Sequence, residues 1–318
     1  MKKVVAGVDI GGTNTRFGLV DEKGKVLSEK DFKTTDYPRI EGFVTALVAG
    51  IKKLVAANKE YQLVGIGIGA PDANYHRGTI EHAPNLVWKG IIPLCDMIKK
   101  KINVPVVVTN DANAAAMGEM IFGGAKKMKD FIVLTLGTGL GSGIVIDGKM
   151  VYGHTGFAGE LGHMTVVPGG RECGCGRKGC FEAYASATGL VKTTIELMSK
   201  MRDESPLRSI PVSKLTSKKI AEAAAQKDPI AVKAMNDTAE ILGFGIINAV
   251  VFSSPEAIFL FGGLANAGDM LLNPVKKYIQ KNNYVLMKDT VKVLISEIPE
   301  NKGAVMGSAA LIWNELKQ

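Results

Sequence analysis

The sequence predicts an α/β protein with two related domains that face a cleft. Segments that read as buried strands alternate with segments whose apolar residues recur at helical spacing, which is typical of α/β sheets. In addition, residues 4–24 and 131–148 follow one plan: a strand, a turn of glycine and threonine, a second strand and a turn with aspartate. This internal repeat indicates two copies of one α/β unit. A chain of 318 residues is long enough for both.

The first part of the chain alternates strands with helices. The helix at 41–57 is indicated by Phe43, Leu47, Ile51 and Leu54, which recur three or four residues apart. The predicted elements are, in order, a strand at 4–8, a turn at 9–13, an extended segment at 16–20, a hairpin turn at 21–24, a strand at 25–32, the helix at 41–57, a strand at 63–68, a helix at 94–101, a strand at 104–109 and a helix at 112–122.

The pattern then restarts and ends in a mainly helical part. We expect a small N-terminal α/β domain over residues 1–110, joined by a C-terminal helix near 303–318, and a large α/β domain over 111–302. The later predicted elements are a strand at 131–136, a turn at 137–139, a strand at 142–146, a turn at 147–148, helices over most of 184–250, a strand at 257–261 that runs into Gly262 and Gly263, a helix near 268–281 and a last helix near 303–316.

Composition and charge exclude several classes of protein. With 46% hydrophobic and 22% charged residues, the chain has the composition of a globular domain. The apolar run at 4–8 is too short for a signal peptide, and no stretch reaches the roughly 18 apolar residues that a membrane span needs. The net charge of +8 is spread over scattered lysines, and aromatic residues are only 6%. We therefore expect neither a membrane nor a nucleic acid as partner, and free thiols in the reducing cytoplasm.

One histidine and three cysteines lie in a short segment. His163 is followed by Cys173, Cys175 and Cys180, with glycines among the cysteines. Three thiolates and one imidazole bind zinc tetrahedrally and leave no position for water, so the predicted zinc is structural. The alternative is one disulfide and a spare thiol. Glu160 and Glu182 bracket the segment, so the zinc loop would present two acids.

Two glycine turns are candidate phosphate sites. Gly11-Gly12-Thr13 and Gly137-Thr138-Gly139 offer backbone N–H groups and a threonine hydroxyl each. Neither is a Walker loop, because the Lys-Ser/Thr pair is missing and a strand follows. Each turn taken alone could equally be a tight hairpin. Asp9, at the end of the first strand, could hold Mg²⁺ through water, since this ion keeps several waters and takes few carboxylates.

Together these motifs resemble the ROK family of sugar kinases (repressor, open reading frame, kinase), within the actin and hexokinase-like (ribonuclease H-like) superfold. The resemblance covers essentially the whole chain. It rests on D-x-G-G-T at residues 9–13, N-D-A-N at 110–113, the glycine-rich signature from Leu134 to His163 and the motif C-x-C-G-x-x-G-C-x-E at 173–182. The resemblance implies a two-domain fold of that type with a cleft between the domains.

The resemblance also implies roles for individual residues. Asp111 would be the catalytic base, although an aspartate after a strand and before a helix could simply be an N-cap. Asn85 would contact the sugar, although it could be only a turn residue. The implied sugar contacts are Asn85, Asn110, Asp111, Glu160, His163 and Glu182; the implied ATP contacts are Gly11, Gly12, Thr13, Asn14, Gly137, Thr138, Gly139, Gly262 and Gly263.

The implied activity is the ATP-dependent phosphorylation of a hexose, with Mg²⁺ accompanying ATP. Residues 163–168 and 182–186 resemble the glucokinase members, so we expect D-glucose, phosphorylated on its 6-hydroxyl. N-acetylglucosamine and N-acetylmannosamine are the alternative substrates. The family also contains DNA-binding repressors, but their helix-turn-helix would precede the first strand, which here begins at residue 4. A sugar-binding protein without catalysis is a third hypothesis. We expect a homodimer or homotetramer.

Overall fold

The computed structural model describes residues 1–317 and contains two compact units. The first unit consists of Met1–Met128, Met150–Ala158 and the segment from Glu297 to the end of the described residues; the second consists of Lys129–Lys149 and Gly159–Ser296. The first unit therefore continues past the predicted boundary at residue 110. The reason is that the helix after that boundary packs against the C-terminal helix, which belongs to the first unit.

Strands and helices alternate along the chain. The strands are β1 (Lys2–Ile10), β2 (Asn14–Val20), β3 (Val26–Lys33), β4 (Tyr61–Gly69), β5 (Ala73–Asn74), β6 (Thr79–Glu81), β7 (Ile91–Ile92), β8 (Val106–Thr109), β9 (Phe131–Leu136), β10 (Leu140–Ile146), β11 (Lys149–Met150), β12 (Ala257–Phe261) and β13 (Lys292–Ile295). The helices are α1 (Ile40–Ala56), α2 (Leu94–Lys99), α3 (Asp111–Ile121), α4 (Ala187–Lys200), α5 (Ser217–Ala225), α6 (Pro229–Ser253), α7 (Asp269–Asn282) and α8 (Glu300–Glu315).

The main sheets of the two units share one topology. The first has the order β3-β2-β1-β4-β8 and the second the order β11-β10-β9-β12-β13. In each, an antiparallel hairpin is followed by parallel strands: β1 pairs antiparallel with β2 and parallel with β4, and β9 pairs antiparallel with β10 and parallel with β12. The internal repeat of the sequence is thus a repeat of sheet topology.

The core of the first unit lies between its sheet and the helices that cover it. On one side, α1 buries Phe43, Leu47 and Ile51, the apolar positions whose spacing predicts this helix. On the other side, α8 packs against β1 and β4 with Val305, Ala309 and Ile312, which cluster with Val5 of β1. The sheet is therefore buried on both faces, as parallel strands in α/β proteins are.

The second unit is richer in helix. Asp228 caps α6, its carboxylate accepting the N–H of Ala231 at 2.7 Å, and Pro229 occupies the first helical position. The region expected to be mostly helical consists of α4, α5 and α6, joined by loops around Pro206 and Pro211. The short strands β5, β6, β7, β11 and β13 are not among the predicted elements, because two to four residues give no readable periodicity. Within residues 1–317, no helix is long and apolar enough to cross a membrane.

Truncation of Ile312 should destabilise the first unit. Ile312 is fully buried in α8, whereas Leu316, one turn later, is 40% exposed. We expect Ile312→Ala to lower the free energy of unfolding by about 2–4 kcal/mol and Leu316→Ala by less than about 1 kcal/mol. The chain's two tryptophans, Trp88 and Trp313, both lie in the first unit, so their fluorescence in a urea titration reports on this unit alone. Equal effects of the two variants would contradict the packing of α8.

Candidate functional site

The register of the first sheet brings three chain segments to one edge. Asp9 of β1 pairs with Gly69 of β4, and Gly69 pairs with Thr109 of β8. These three strands are parallel, so the residues that follow them leave the sheet at the same carboxyl edge, where ligands of α/β proteins commonly bind. Asn110 and Asp111 follow β8 directly. Asp9 and the predicted base thus lie at one edge of the sheet, at the ends of the two strands that flank β4.

Asn110, not Asp111, is the N-cap of α3. The side-chain oxygen of Asn110 accepts the N–H of Ala112 at 2.8 Å, and its backbone oxygen accepts the N–H of Ala114 at 2.9 Å. Asp111 is the first helical residue, and its side chain is exposed. Asp111 is therefore not the N-cap residue, although its Oδ1 accepts the same N–H of Ala112 at 2.8 Å, and the residue remains exposed.

Desolvation, with a smaller contribution from neighbouring carboxylates, raises the pKa of Asp111 and of Asp9 at this edge. Protein atoms around Asp111 displace bulk water and raise its pKa, and the charge of Asp72 adds to this, while the N–H of Ala112 opposes it. Burial raises the pKa of Asp9 to about 6, with a further contribution from Asp111 and an opposing one from Arg16. Asp72 is not among the predicted site residues. Its signal in the sequence is its place just after the buried strand β4, like that of Asp111 after β8.

The first glycine turn, Gly11–Asn14, lies against Asn85. The turn connects β1 to β2, and the N–H of Gly11 donates to the oxygen of Asn14 at 2.9 Å. A Cβ on Gly12 would lie 2.5 Å from the backbone oxygen of Asn85, so only glycine allows this approach. The structure thus brings together a predicted ATP turn and a predicted sugar residue. The side chain of Asn85 is exposed.

The second glycine turn, Gly137–Gly139, connects β9 to β10 in the second unit. The N–H of Gly137 donates to the oxygen of Gly139 at 3.1 Å. Gly262 and Gly263 follow β12, the neighbour of β9, and the N–H of Leu264 donates to the oxygen of Leu136 at 3.1 Å. The two glycine segments assigned to ATP in this unit are therefore adjacent at the end of their strands.

A cavity opens beside Gly263. It has a volume of about 520 Å³ and lies between α5 and the segment that leads into α7. Small side chains line it, among them Ala221 and Ala225 of α5 and Ala267. A cavity of this size is in the range of small-molecule sites. The family resemblance implies a nucleoside near Gly262 and Gly263, whereas no sequence signal indicates the contribution of α5.

The histidine and the three cysteines form a compact cluster. The ligand atoms of His163, Cys173, Cys175 and Cys180 all lie within 4.8 Å of one another. Nδ1 of His163 is 3.7 Å from Sγ of Cys173, and Sγ of Cys175 is 3.7 Å from Sγ of Cys180. Four bonds of about 2.3 Å in a tetrahedron separate sulfur atoms by about 3.8 Å, so the cluster fits zinc. All four cysteines of the chain are free, which contradicts the disulfide alternative.

The charge of this cluster also favours a cation. Burial raises the pKa of the Cys173 and Cys180 thiols, so their thiolates need a positive partner, whereas the N–H of Arg177 lowers the pKa of Cys175. Nδ1 of His163 faces the cysteines, which leaves the other ring nitrogen for a different contact.

Glu182 connects the cluster to the second glycine turn. Its Oε1 lies 2.9 Å from Sγ of Cys173, and its Oε2 accepts the N–H of Leu140 at 3.4 Å. Glu160 immediately precedes the short 3₁₀ turn Leu161–His163 and is exposed. The predicted residues Glu160, His163 and Glu182 are therefore all carried by the loop of the second unit that includes the cluster, whereas Asp9, Asn85 and Asp111 belong to the first unit.

Comparison with known proteins identifies the family. The ROK family model matches residues 5–315, so the chain belongs to the ROK family. A glucokinase of Streptomyces coelicolor is 36% identical over 320 residues, covering 96% of each chain. The xylose repressor of Caldicellulosiruptor bescii is 30% identical and covers 98% of this chain, which spans 78% of the repressor.

A solved structure gives the same result. The ROK family glucokinase of Streptomyces griseus, crystallised with glucose and AMPPNP, is 36% identical with a TM-score of 0.79, and the match covers 97% of this chain and 98% of that one. The predicted fold class, a two-domain α/β fold of the actin and hexokinase type, is confirmed by these structural relatives and by the two matching sheets.

Proposed function

We propose that this protein is an ATP-dependent hexose kinase that phosphorylates D-glucose on its 6-hydroxyl. Family membership and the glucokinase relatives support the reaction class. The observation that carries the proposal is the exposed carboxylate of Asp111 at the first position of α3, at the same sheet edge as Asp9.

Asp111 acts as the general base. The proton of the 6-hydroxyl passes to its carboxylate as the oxygen bonds to the γ-phosphorus of ATP. The bond from that phosphorus to the β,γ-bridging oxygen breaks, and ADP leaves. The raised pKa of Asp111 makes it a better proton acceptor than an ordinary carboxylate. Mg²⁺ would be held through water by Asp9 and would neutralise charge on the phosphates.

The remaining predicted residues bind the substrates. Backbone N–H groups of the two glycine turns, with the Thr13 and Thr138 hydroxyls, bind the phosphates. The nucleoside lies at Gly262 and Gly263 and in the cavity beside α5. The hexose hydroxyls are bound by the side chains of Asn85, Asn110, Asp111, Glu160, His163 and Glu182.

A structural zinc holds the loop of Glu160, His163 and Glu182. The ligands are His163, Cys173, Cys175 and Cys180, whose separations support tetrahedral binding. Because all four positions are filled by protein, the metal stabilises the loop and takes no part in the reaction. Cysteine thiols stay reduced and available to bind zinc in the cytoplasm, so we propose that the protein is cytoplasmic.

We also retain the proposed homodimer or homotetramer. The exposed face of α6 supports it, since Phe244, Val251 and Phe252 are all exposed there, Phe252 by 80%. Exposed aromatic side chains on one helix are typical of subunit interfaces.

The substrate assignment is tested with a panel of sugars. We expect kcat/KM for glucose to exceed the values for mannose, fructose, N-acetylglucosamine and N-acetylmannosamine, measured by ADP release. If kcat/KM for an N-acetyl sugar exceeds that for glucose by more than about tenfold, that sugar replaces glucose as the proposed substrate, and the proposed mechanism is unchanged. Absence of ADP release with every sugar would overturn the kinase proposal.

Loss of zinc should abolish hexose binding. We expect about one zinc per chain by metal analysis, and we expect Cys175→Ala to lose both the metal and the affinity for glucose, because the loop then lacks its cross-link. Cys95→Ala is the control, since Cys95 is a buried cysteine of the first unit. Full activity of a zinc-free preparation would refute this prediction.

Asp111→Asn should bind glucose and ATP but turn over slowly. The amide preserves the shape of the side chain but cannot accept a proton, so we expect kcat to fall by about 10²–10⁴. In the wild type, kcat should fall as the pH drops through the raised pKa of Asp111, because the protonated acid is no base. The Asn variant should lack this acid limb. A loss below about tenfold would point to another base.

Filling the cavity beside α5 should weaken ATP binding selectively. Ala221 lines this cavity, and a phenylalanine there would occupy the space assigned to the nucleoside. We expect Ala221→Phe to raise KM for ATP by about tenfold or more and to change KM for glucose less than about twofold. Ala56→Phe, at the exposed end of α1, is the matched control. An unchanged KM for ATP would place the nucleoside elsewhere.

A further inference from the structure

A nine-residue segment returns from the second unit to the first. Met150–Ala158, here named the strap, belongs to the first unit, while Lys149 before it and Gly159 after it belong to the second. The N–H of Ala158 donates to the oxygen of Tyr152 at 3.0 Å and closes the strap into a loop. Glu160, a proposed hexose contact, follows two residues after the strap ends.

Asn74 is buried against the strap. Its side chain is 0% exposed, and its Nδ2 donates to the backbone oxygen of Thr155 at 2.8 Å. Its Oδ1 accepts the N–H of Arg77 at 3.3 Å, which fixes the orientation of the amide so that the nitrogen faces the strap. The amide of Asn74 therefore bonds the strap to the loop that follows β5.

Gly156 allows the strap to approach this amide. Its φ is +88°, a region that side chains disfavour. A Cβ there would lie 2.6 Å from Oδ1 of Asn74, so any other residue would push the strap away. Backbone conformation and space thus both require glycine at the contact.

The two residues after Asn74 bind the strap as well. The rings of Tyr75 and Tyr152 are stacked, with centroids 4.0 Å apart and an interplanar angle of 2°. The hydroxyl of Tyr75 donates to Oε1 of Glu315 at 2.7 Å, and Nε2 of His76 donates to the oxygen of Gly153 at 2.9 Å. We name Asn74, Tyr75 and His76 the clasp. Each of its residues contacts a different part of the strap.

The residues around Glu160 are fixed on the other side by Ser142. The Ser142 hydroxyl donates to the oxygen of Gly159, and the N–H of Leu161 donates to Ser142 Oγ at 3.3 Å. The chain is thus held at Thr155 and Gly156 by the clasp and at Gly159 and Leu161 by Ser142. Glu160 lies within this short span, so its backbone has little freedom.

We propose that the clasp, chiefly through Asn74, positions Glu160 for hexose binding by fixing the strap. Asn74 is a positioning residue, because it acts through the strap and does not touch the substrate. This inference rests on the proposed function, in which Glu160 contacts the hexose. A misplacement of about 1 Å in such a contact can cost as much as about 10² in rate, so a remote anchor can matter.

The test combines hydrogen exchange with kinetics. We expect Asn74→Ala to speed amide exchange in peptides that cover residues 150–160 and to raise KM for glucose by about tenfold, with KM for ATP changed less than about twofold. Asn282→Ala is the matched control, because the exposed Asn282 amide also donates to a backbone oxygen, that of Tyr278 at 2.9 Å. If Asn74→Ala does not fold, His76→Ala, at an exposed position, should give the same pattern in weaker form.

The readouts separate the two proposals. Unchanged exchange in the strap, or faster exchange with an unchanged KM for glucose, would overturn the role of the clasp. An equal rise in both KM values would indicate a general loss of structure and would also overturn it. If the wild type phosphorylates no hexose, the proposed function fails while the exchange measurement still reports whether the clasp fixes the strap.

Discussion

The register of three parallel strands determines the candidate active site of the first unit. Asp9, Gly69 and Thr109 are in register across β1, β4 and β8, so the segments that follow these strands emerge together. A shift of one residue in any strand would turn its side chains to the opposite face and separate the acids. The burial of β1 and β4 between α1 and α8 prevents such a shift, because it would expose the apolar side chains of both faces.

The main sheet of the second unit has the same topology as that of the first unit, but different residues follow some of its strands. Glycines follow β9 and β12, as they follow β1 in the first unit, and glycine backbone suits the binding of an anion. The acids of the second unit come from the loop with the cysteine cluster, which lacks regular secondary structure apart from short 3₁₀ turns and isolated bridges. A loop of this kind needs a cross-link to hold side chains in place, and Glu182 joins it to the second glycine turn.

The sequence predicts those features whose signals are local. The sequence patterns that indicate the cysteine cluster, the two glycine turns and α1 each extend over a short stretch of chain. These patterns therefore predict all three features. The sequence could not decide whether Asn110 or Asp111 caps α3, because both residues are good caps and the choice depends on backbone angles. It did not indicate Asp72 or the clasp, since their partners lie about 40 and 80 residues away in the chain.

The buried carboxyl group of Asp9 at the sheet edge reduces the stability of the fold at neutral pH. A pKa of Asp9 raised to about 6 means that the folded state binds this proton more tightly than the unfolded state. The associated stability is present below the unfolded pKa near 4 and is lost as the pH rises through about 6. At neutral pH the ionised carboxylate of Asp9 therefore opposes folding. The positive charge of Arg16 offsets part of the cost of this buried charge, and the divalent cation proposed to arrive with ATP would offset more.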